Sequence, residues 1–301
     1  MINYKKMTDR KISIYEWLEE FQHYSEREVK KYSVLLKKLA AFSKNNSLPS
    51  QANVLVVGGG GCELEHSIIS SLGLTNVNLY AVDVNKPRIQ EISPISKIHW
   101  IPSHFEKESI TSFSIKADVL ICIAASRYFH NASEMYTSML KTLNPGALVI
   151  IDFYELPPLR QSITNFMREW LKNEWHEDSE LAIKKLGELA QISRSLSHKL
   201  GDKQINLNLG IKEIGINSGA VGLQQLIYES IFPFWFDSDA SDTEISAQLA
   251  WSFLCESNDN SIITIERFAR KNTIDINTIY SITRDTHALI GIMPSNSTLP
   301  Q

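Results

Sequence analysis

Cysteine is scarce. The chain has three in 301 residues (Cys62, Cys122, Cys255), an odd number without metal-ligand spacing. A disulfide framework and a metal site are therefore not expected, and the thiols read as unpaired in a reducing cytoplasm. An excess of charge of one sign is also missing. Lys and Arg number 30 and Asp and Glu 34, a formal net charge of −4 with no basic stripe, which argues against capture of nucleic acid or anionic membrane. No uninterrupted apolar run approaches membrane-spanning length, and Met1-Ile2-Asn3-Tyr4-Lys5-Lys6 has no apolar signal core behind it. Repeats and low-complexity tracts are absent, and only Pro294 to Gln301 has the composition of a loose tail.

What is present is concentrated in one stretch. Val54-Leu55-Val56-Val57 reads as a strand buried on both faces of a parallel sheet, and Gly58-Gly59-Gly60-Gly61 comes directly after it. Leu64, Ile68, Ile69 and Leu72 then recur at helical spacing. A strand, a glycine turn and a helix N-terminus make a nucleotide-binding crevice, because the helix end offers unpaired N–H groups and a partial positive charge. A P-loop is excluded, since no Gly-Lys-Ser/Thr comes after the glycines. A dinucleotide fingerprint is disfavoured because its sixth position is Glu63, whose carboxylate would repel a pyrophosphate and suits an ammonium group better. Asp83 ends a second strand, Val77 to Asp83, where a carboxylate can bind both hydroxyls of a ribose.

At these residues the chain resembles the class I S-adenosylmethionine-dependent methyltransferases. Val54 to Glu63 is similar to their first motif, Leu79-Tyr80-Ala81-Val82-Asp83 to the second, Ala117 to Ile123 to the fourth strand, and Leu143-Asn144-Pro145-Gly146 through Ile151 to the turn and fifth strand. The resemblance implies an α/β fold, a doubly wound, mostly parallel seven-stranded Rossmann-like sheet, with S-adenosyl-L-methionine as cofactor. It implies that Gly58, Gly60 and Glu63 line the methionine part and that Asp83 holds the ribose, with Gly59 and Val84 also in the cofactor-binding set. His104, near where an Asp commonly meets the adenine amine, Phe105 as a stacking ring, and Ala124 complete the cofactor set. Cys62 departs from the pattern by standing where a third glycine is usual.

The organisation expected is an N-terminal helical segment or flap over 1–50, a cofactor-binding core over 51–154, and a mainly helical cap over 155–260. The core fold returns at 261–293 as a helix and an antiparallel strand pair, and a tail closes the chain at 294–301. The cap is inferred because the simple alternation stops after Tyr154 and the interval is too long for a structureless loop. Its aromatic residues Trp170, Trp235 and Phe236 are either cap core or the wall of an acceptor pocket.

The chemistry expected is transfer of a methyl group to an N or O atom of a small molecule, such as a specialised metabolite, bound between core and cap. Positioning supplies most of the rate in such a displacement, with a base needed only when the acceptor must lose a proton. Ala124 to His130 comes after the fourth strand. There His130 is the candidate base, Tyr128 a second catalytic candidate, and Arg127 a substrate contact alongside Tyr154, Glu155 and Trp235. No Asp/Asn-Pro-Pro-Tyr/Phe signature occurs after Ile123, which points away from nucleic-acid substrates. Neither a metal nor a membrane partner is expected, and the oligomeric state is not legible. Two alternatives stay open: an aminopropyl-type transferase, and a non-catalytic binding protein on the same fold.

Overall fold

The computed structural model describes Ile14 and residues 32–46, 48–83, 86–102, 115–126, 129, 132–154, 158–198, 242–255, 265–281 and 286–295. The chain divides into two compact units, one formed by Tyr24–Glu155 with Ser257–Gln301, the other by Met1–His23 with Leu156–Glu256.

The first unit is built on a seven-stranded sheet. Its strands are β1 (Gln51–Val57), β2 (Asn76–Asp83), β3 (Ile95–Pro102), β4 (Ala117–Cys122), β5 (Leu143–Tyr154), β6 (Asp275–Ser281) and β7 (Thr286–Ile292), in spatial order β3-β2-β1-β4-β5-β7-β6. The five from β3 to β5 are parallel, whereas β7 runs antiparallel to both neighbours. This is the α/β architecture the resemblance implies: a mostly parallel sheet closed by an antiparallel pair.

Both faces are covered, which explains the near-continuous apolar runs of the central strands. On one face α1 (Ser33–Asn45) and α2 (Glu63–Ser71) pack Leu35, Leu39, Ile68 and Ile69 against Val54, Val56, Leu79 and Ile121. On the other, α3 (Ala132–Leu140) and α7 (Ile265–Lys271) pack Tyr136, Met139 and Phe268 against Leu55, Leu120, Val149 and Phe153. Helix α3 ends at Leu140, where the Thr142 hydroxyl and N–H both turn back to the Met139 carbonyl.

Simple strand–helix alternation fails between β2 and β3. Residues 86–94 contain no helix; Pro87 stands near the start of this stretch and Pro94 at its end, and proline lacks the N–H a helix interior needs. This segment instead folds back on the glycine turn. β3 is accordingly thinly covered, with Ile95 its one buried residue and Trp100 39% exposed.

The second unit contains α4 (Pro158–Glu177), α5 (Ser179–His198) and α6 (Asp242–Cys255), packed pairwise around Met167, Leu171, Leu186, Ala250 and Phe253. Asp178 starts α5 by accepting the N–H groups of Glu180 and Leu181 at 3.0 and 3.1 Å, the usual N-cap arrangement. Trp170 is buried within this unit. Among the described residues no helix is long and apolar enough to cross a membrane.

Candidate functional site

The carboxyl end of β1 lies between β2 and β4, where the strand order reverses direction, the position at which open α/β sheets bind ligands. The glycine turn sits there. Gly58 has φ +73° and donates its N–H to the Val82 carbonyl at 3.0 Å, tying the turn to the end of β2. Gly60 has φ +51°, a left-handed conformation that disfavours other residues. Gly59 is fixed differently: a Cβ there would lie 2.5 Å from Cγ1 of buried Val56 and 3.0 Å from the Cys62 sulfur. The turn thus has room for a close-approaching ligand and none for side chains at its base.

Cys62 ends the turn at φ +64° and precedes α2 without a side-chain cap; its carbonyl accepts the His66 N–H at 2.9 Å. The thiol is buried. Burial, reinforced by Glu65, Asp83 and Glu63, pushes it well above the ordinary thiol range, so it is a neutral filler of the turn. Glu63 and Glu65 occupy the first turn of α2, where the helix dipole favours negative charge.

Two carboxylates dominate the crevice. Asp83, 4% exposed at the end of β2, accepts the Gly60 N–H on Oδ2 at 2.8 Å. Its backbone carbonyl accepts the Trp100 indole N–H at 3.0 Å, so both ends of the residue are held. Glu63 opens α2 and pairs with Arg88, Oε1 to Nε 3.1 Å, with the two side chains 30% and 34% exposed. Arg88 belongs to the helix-free β2–β3 segment and was not among the residues singled out from sequence.

A second cluster lies at the ends of β4 and β5. Ala124, just past β4, has φ +61° and donates its N–H to Asp152 Oδ2 at 2.7 Å. Asp152 is buried, and its carbonyl accepts the Tyr136 hydroxyl. Burial raises the Cys122 thiol well above its usual range, with Asp152 adding to the effect, and raises the Tyr136 phenol, with Cys122 and Asp152 adding to it. This network holds the start of the β4 loop in a conformation alanine rarely adopts.

Of the expected site residues, the structure therefore brings Gly58, Gly59, Gly60, Glu63 and Asp83 to one turn and sets Ala124 at the same edge of the sheet. Tyr154 is the last residue of β5, in register with Thr286 of β7. Val84, His104, Phe105, Arg127, Tyr128, His130, Glu155 and Trp235 lie outside the described residues. No group of three or more His, Cys, Asp or Glu side chains suited to a metal ion occurs among the described residues.

No protein-family model and no curated protein sequence matches the chain. Several solved structures share its outline. An O-methyltransferase family protein from Burkholderia thailandensis is 8% identical, with 98% of this chain and 68% of that one covered and a TM-score of 0.45. A SAM-dependent methyltransferase from Aquifex aeolicus is 8% identical over 94% of this chain and 99% of that one, TM-score 0.42. Magnesium protoporphyrin IX methyltransferase from Synechocystis PCC 6803, with bound SAH, is 9% identical over 96% and 91%, TM-score 0.41. At such identities and scores these likenesses carry no argument about function. That weight falls on the turn and its carboxylates.

Proposed function

We propose that the protein is an S-adenosylmethionine-dependent methyltransferase acting on an N or O atom of a small molecule. The observation that carries this reading is the pair of carboxylates on one glycine turn: Asp83, bonded to the Gly60 N–H, and Glu63, opening α2. A dinucleotide would set its pyrophosphate against that helix end, where Glu63 repels it. A nucleoside with an amino-acid tail meets the opposite situation. Asp83 is assigned to the ribose hydroxyls and Glu63 to the ammonium, while the close packing at Gly59 keeps the turn narrow.

When bound, the cofactor supplies a sulfonium-activated methyl group. The chain's own contribution is to orient it and exclude water, with the Asp152-braced backbone at Ala124 assigned to the cofactor's surroundings. His130 and Tyr128, further along the sequence, are the groups assigned to the acceptor, His130 as its base where the acceptor must lose a proton. Arg127, Tyr154, Glu155 and Trp235 are assigned to acceptor binding, with the helical unit as the source of acceptor specificity. The formal charge of −4 supports a small-molecule acceptor over nucleic acid.

Calorimetry with S-adenosylmethionine, S-adenosylhomocysteine and NAD tests the reading. The first two should bind and NAD should not. Asp83→Ala should weaken both by at least about tenfold, since it removes charge-assisted hydrogen bonds of roughly 1.5–3 kcal/mol. An unchanged dissociation constant in a folded variant, or preference for NAD, would sink it.

A further inference from the structure

We propose that Arg88 grips the α-carboxylate of the cofactor's amino-acid end, so that Glu63 and Arg88 form a clamp for a zwitterion and the site selects a carboxylate-bearing cofactor over its decarboxylated form. The inference rests on the cofactor reading above and adds a residue and a specificity to it.

The β2–β3 segment is fastened to the turn by its backbone. The N–H groups of Arg88 and Ile89 both donate to the Gly61 carbonyl, at 3.0 and 3.4 Å. Where a helix would carry the chain away from the crevice, this connection brings a guanidinium to it. The turn is also shaped around the resulting ion pair. A Cβ on Gly61 would fall 2.1 Å from Glu63 Oε2 and 2.7 Å from Arg88 Nε, so the two side chains cross over a glycine, which has no side chain to block them. The pair is exposed enough for water to screen it, which makes it inexpensive to open for a ligand.

Charge then decides what the ligand must look like. Glu63, Glu65 and Asp83 all lie close enough to raise the Cys62 thiol, so an incoming carboxylate meets a strongly anionic turn. It can be accommodated only beside a cation, and Arg88 is the cation the turn holds in place. An amino acid carries ammonium and carboxylate on one carbon, matching the two signs of the Glu63–Arg88 pair. The guanidinium's planar fork fits a carboxylate in a way an ammonium side chain does not. A decarboxylated cofactor, the donor of aminopropyl transfer, would leave Arg88 without that contact.

The test is calorimetry of the full chain with S-adenosylhomocysteine, and with 5′-methylthioadenosine, which keeps nucleoside and sulfur but lacks the amino acid. Arg88→Gln should weaken S-adenosylhomocysteine about tenfold or more, the worth of a charge-assisted hydrogen bond, and leave 5′-methylthioadenosine within about twofold. Arg88→Lys should fall between, because it keeps the charge and loses the fork. Wild type should prefer S-adenosylmethionine to its decarboxylated form, and Arg88→Gln should erase that preference. Equal losses for both nucleosides, no loss for either, or tighter binding of S-adenosylhomocysteine would each overturn the role of Arg88 while wild-type binding keeps the cofactor reading standing. Wild-type protein that binds neither nucleoside would bring down both.

Discussion

Three buried acids of weak acidity stand close to the crevice: the thiols of Cys62 and Cys122 and the phenol of Tyr136. Each holds its proton more tightly in the folded chain, with burial as the largest cause. Their contribution to stability is complete below the unfolded pKa values, about 8.5 for a thiol and about 10 for a phenol. It is lost as pH rises through the folded values, because the unfolded chain releases protons that the native chain retains. Unfolding free energy from denaturant titrations should be level near about pH 7 and then fall above about pH 8.5, approaching about 1.4 kcal/mol per pH unit for each such group. Cys62→Ala should remove its share of that slope. Stability that stays level to about pH 10 in the wild-type chain would refute the expectation. At this scale the sequence was informative where one residue type suffices. Gly58 and Gly60 adopt positive φ, and Asp83 ends its strand beside them. It was silent on partnerships across the fold. Arg88 meets Glu63 and Asp152 meets Ala124 only because neighbouring strands end together, and no local pattern announces either pairing.

Whole elements were read more easily than their junctions. β1, α2, β2, β4, β5 and the β6–β7 pair match the apolar runs and spacings of the sequence, because central strands buried on both faces must be apolar throughout. The β2–β3 connection was the exception. The expected alternation supplies a helix there, whereas Pro87, Pro94 and the short span give a segment hung on the Gly61 carbonyl. At the opposite end of the sheet a single side chain sets the stagger of three strands. Asp118 of β4 accepts the Asn53 N–H of β1 at 2.9 Å and the Asn144 side-chain N–H of β5 at 2.7 Å. Asp118→Ala should therefore cost about 1–3 kcal/mol, the usual result of leaving a partly buried donor unsatisfied. Urea denaturation should show a lower midpoint with an unchanged slope, and cofactor affinity should stay as in wild type. A loss of cofactor affinity with no change in stability would contradict this placement.

Each of the two units of the whole molecule has buried apolar residues of its own. The sheet unit closes its own layers with α1, α2, α3 and α7, and the helical unit has its own apolar centre. Excising residues 156–256 and joining Glu155 to Ser257 by a short flexible linker should leave a cooperatively folding protein that still binds S-adenosylhomocysteine. Methyl transfer to the acceptor should be lost, since acceptor specificity is assigned to the helical unit. Normal turnover by the shortened chain would remove that assignment. The sheet also imposes a schedule on synthesis. β5 has one neighbour in β4, but its other edge is paired by β7, whose first residue, Thr286, is in register with Tyr154. At about 5–20 residues per second, the interval between making those two residues is roughly 7–26 seconds. Throughout it a long, largely apolar strand has an unsatisfied border, the kind of surface on which nascent chains pair wrongly. The long interval of sequence between β5 and β7 therefore lengthens the time for which that border stays open.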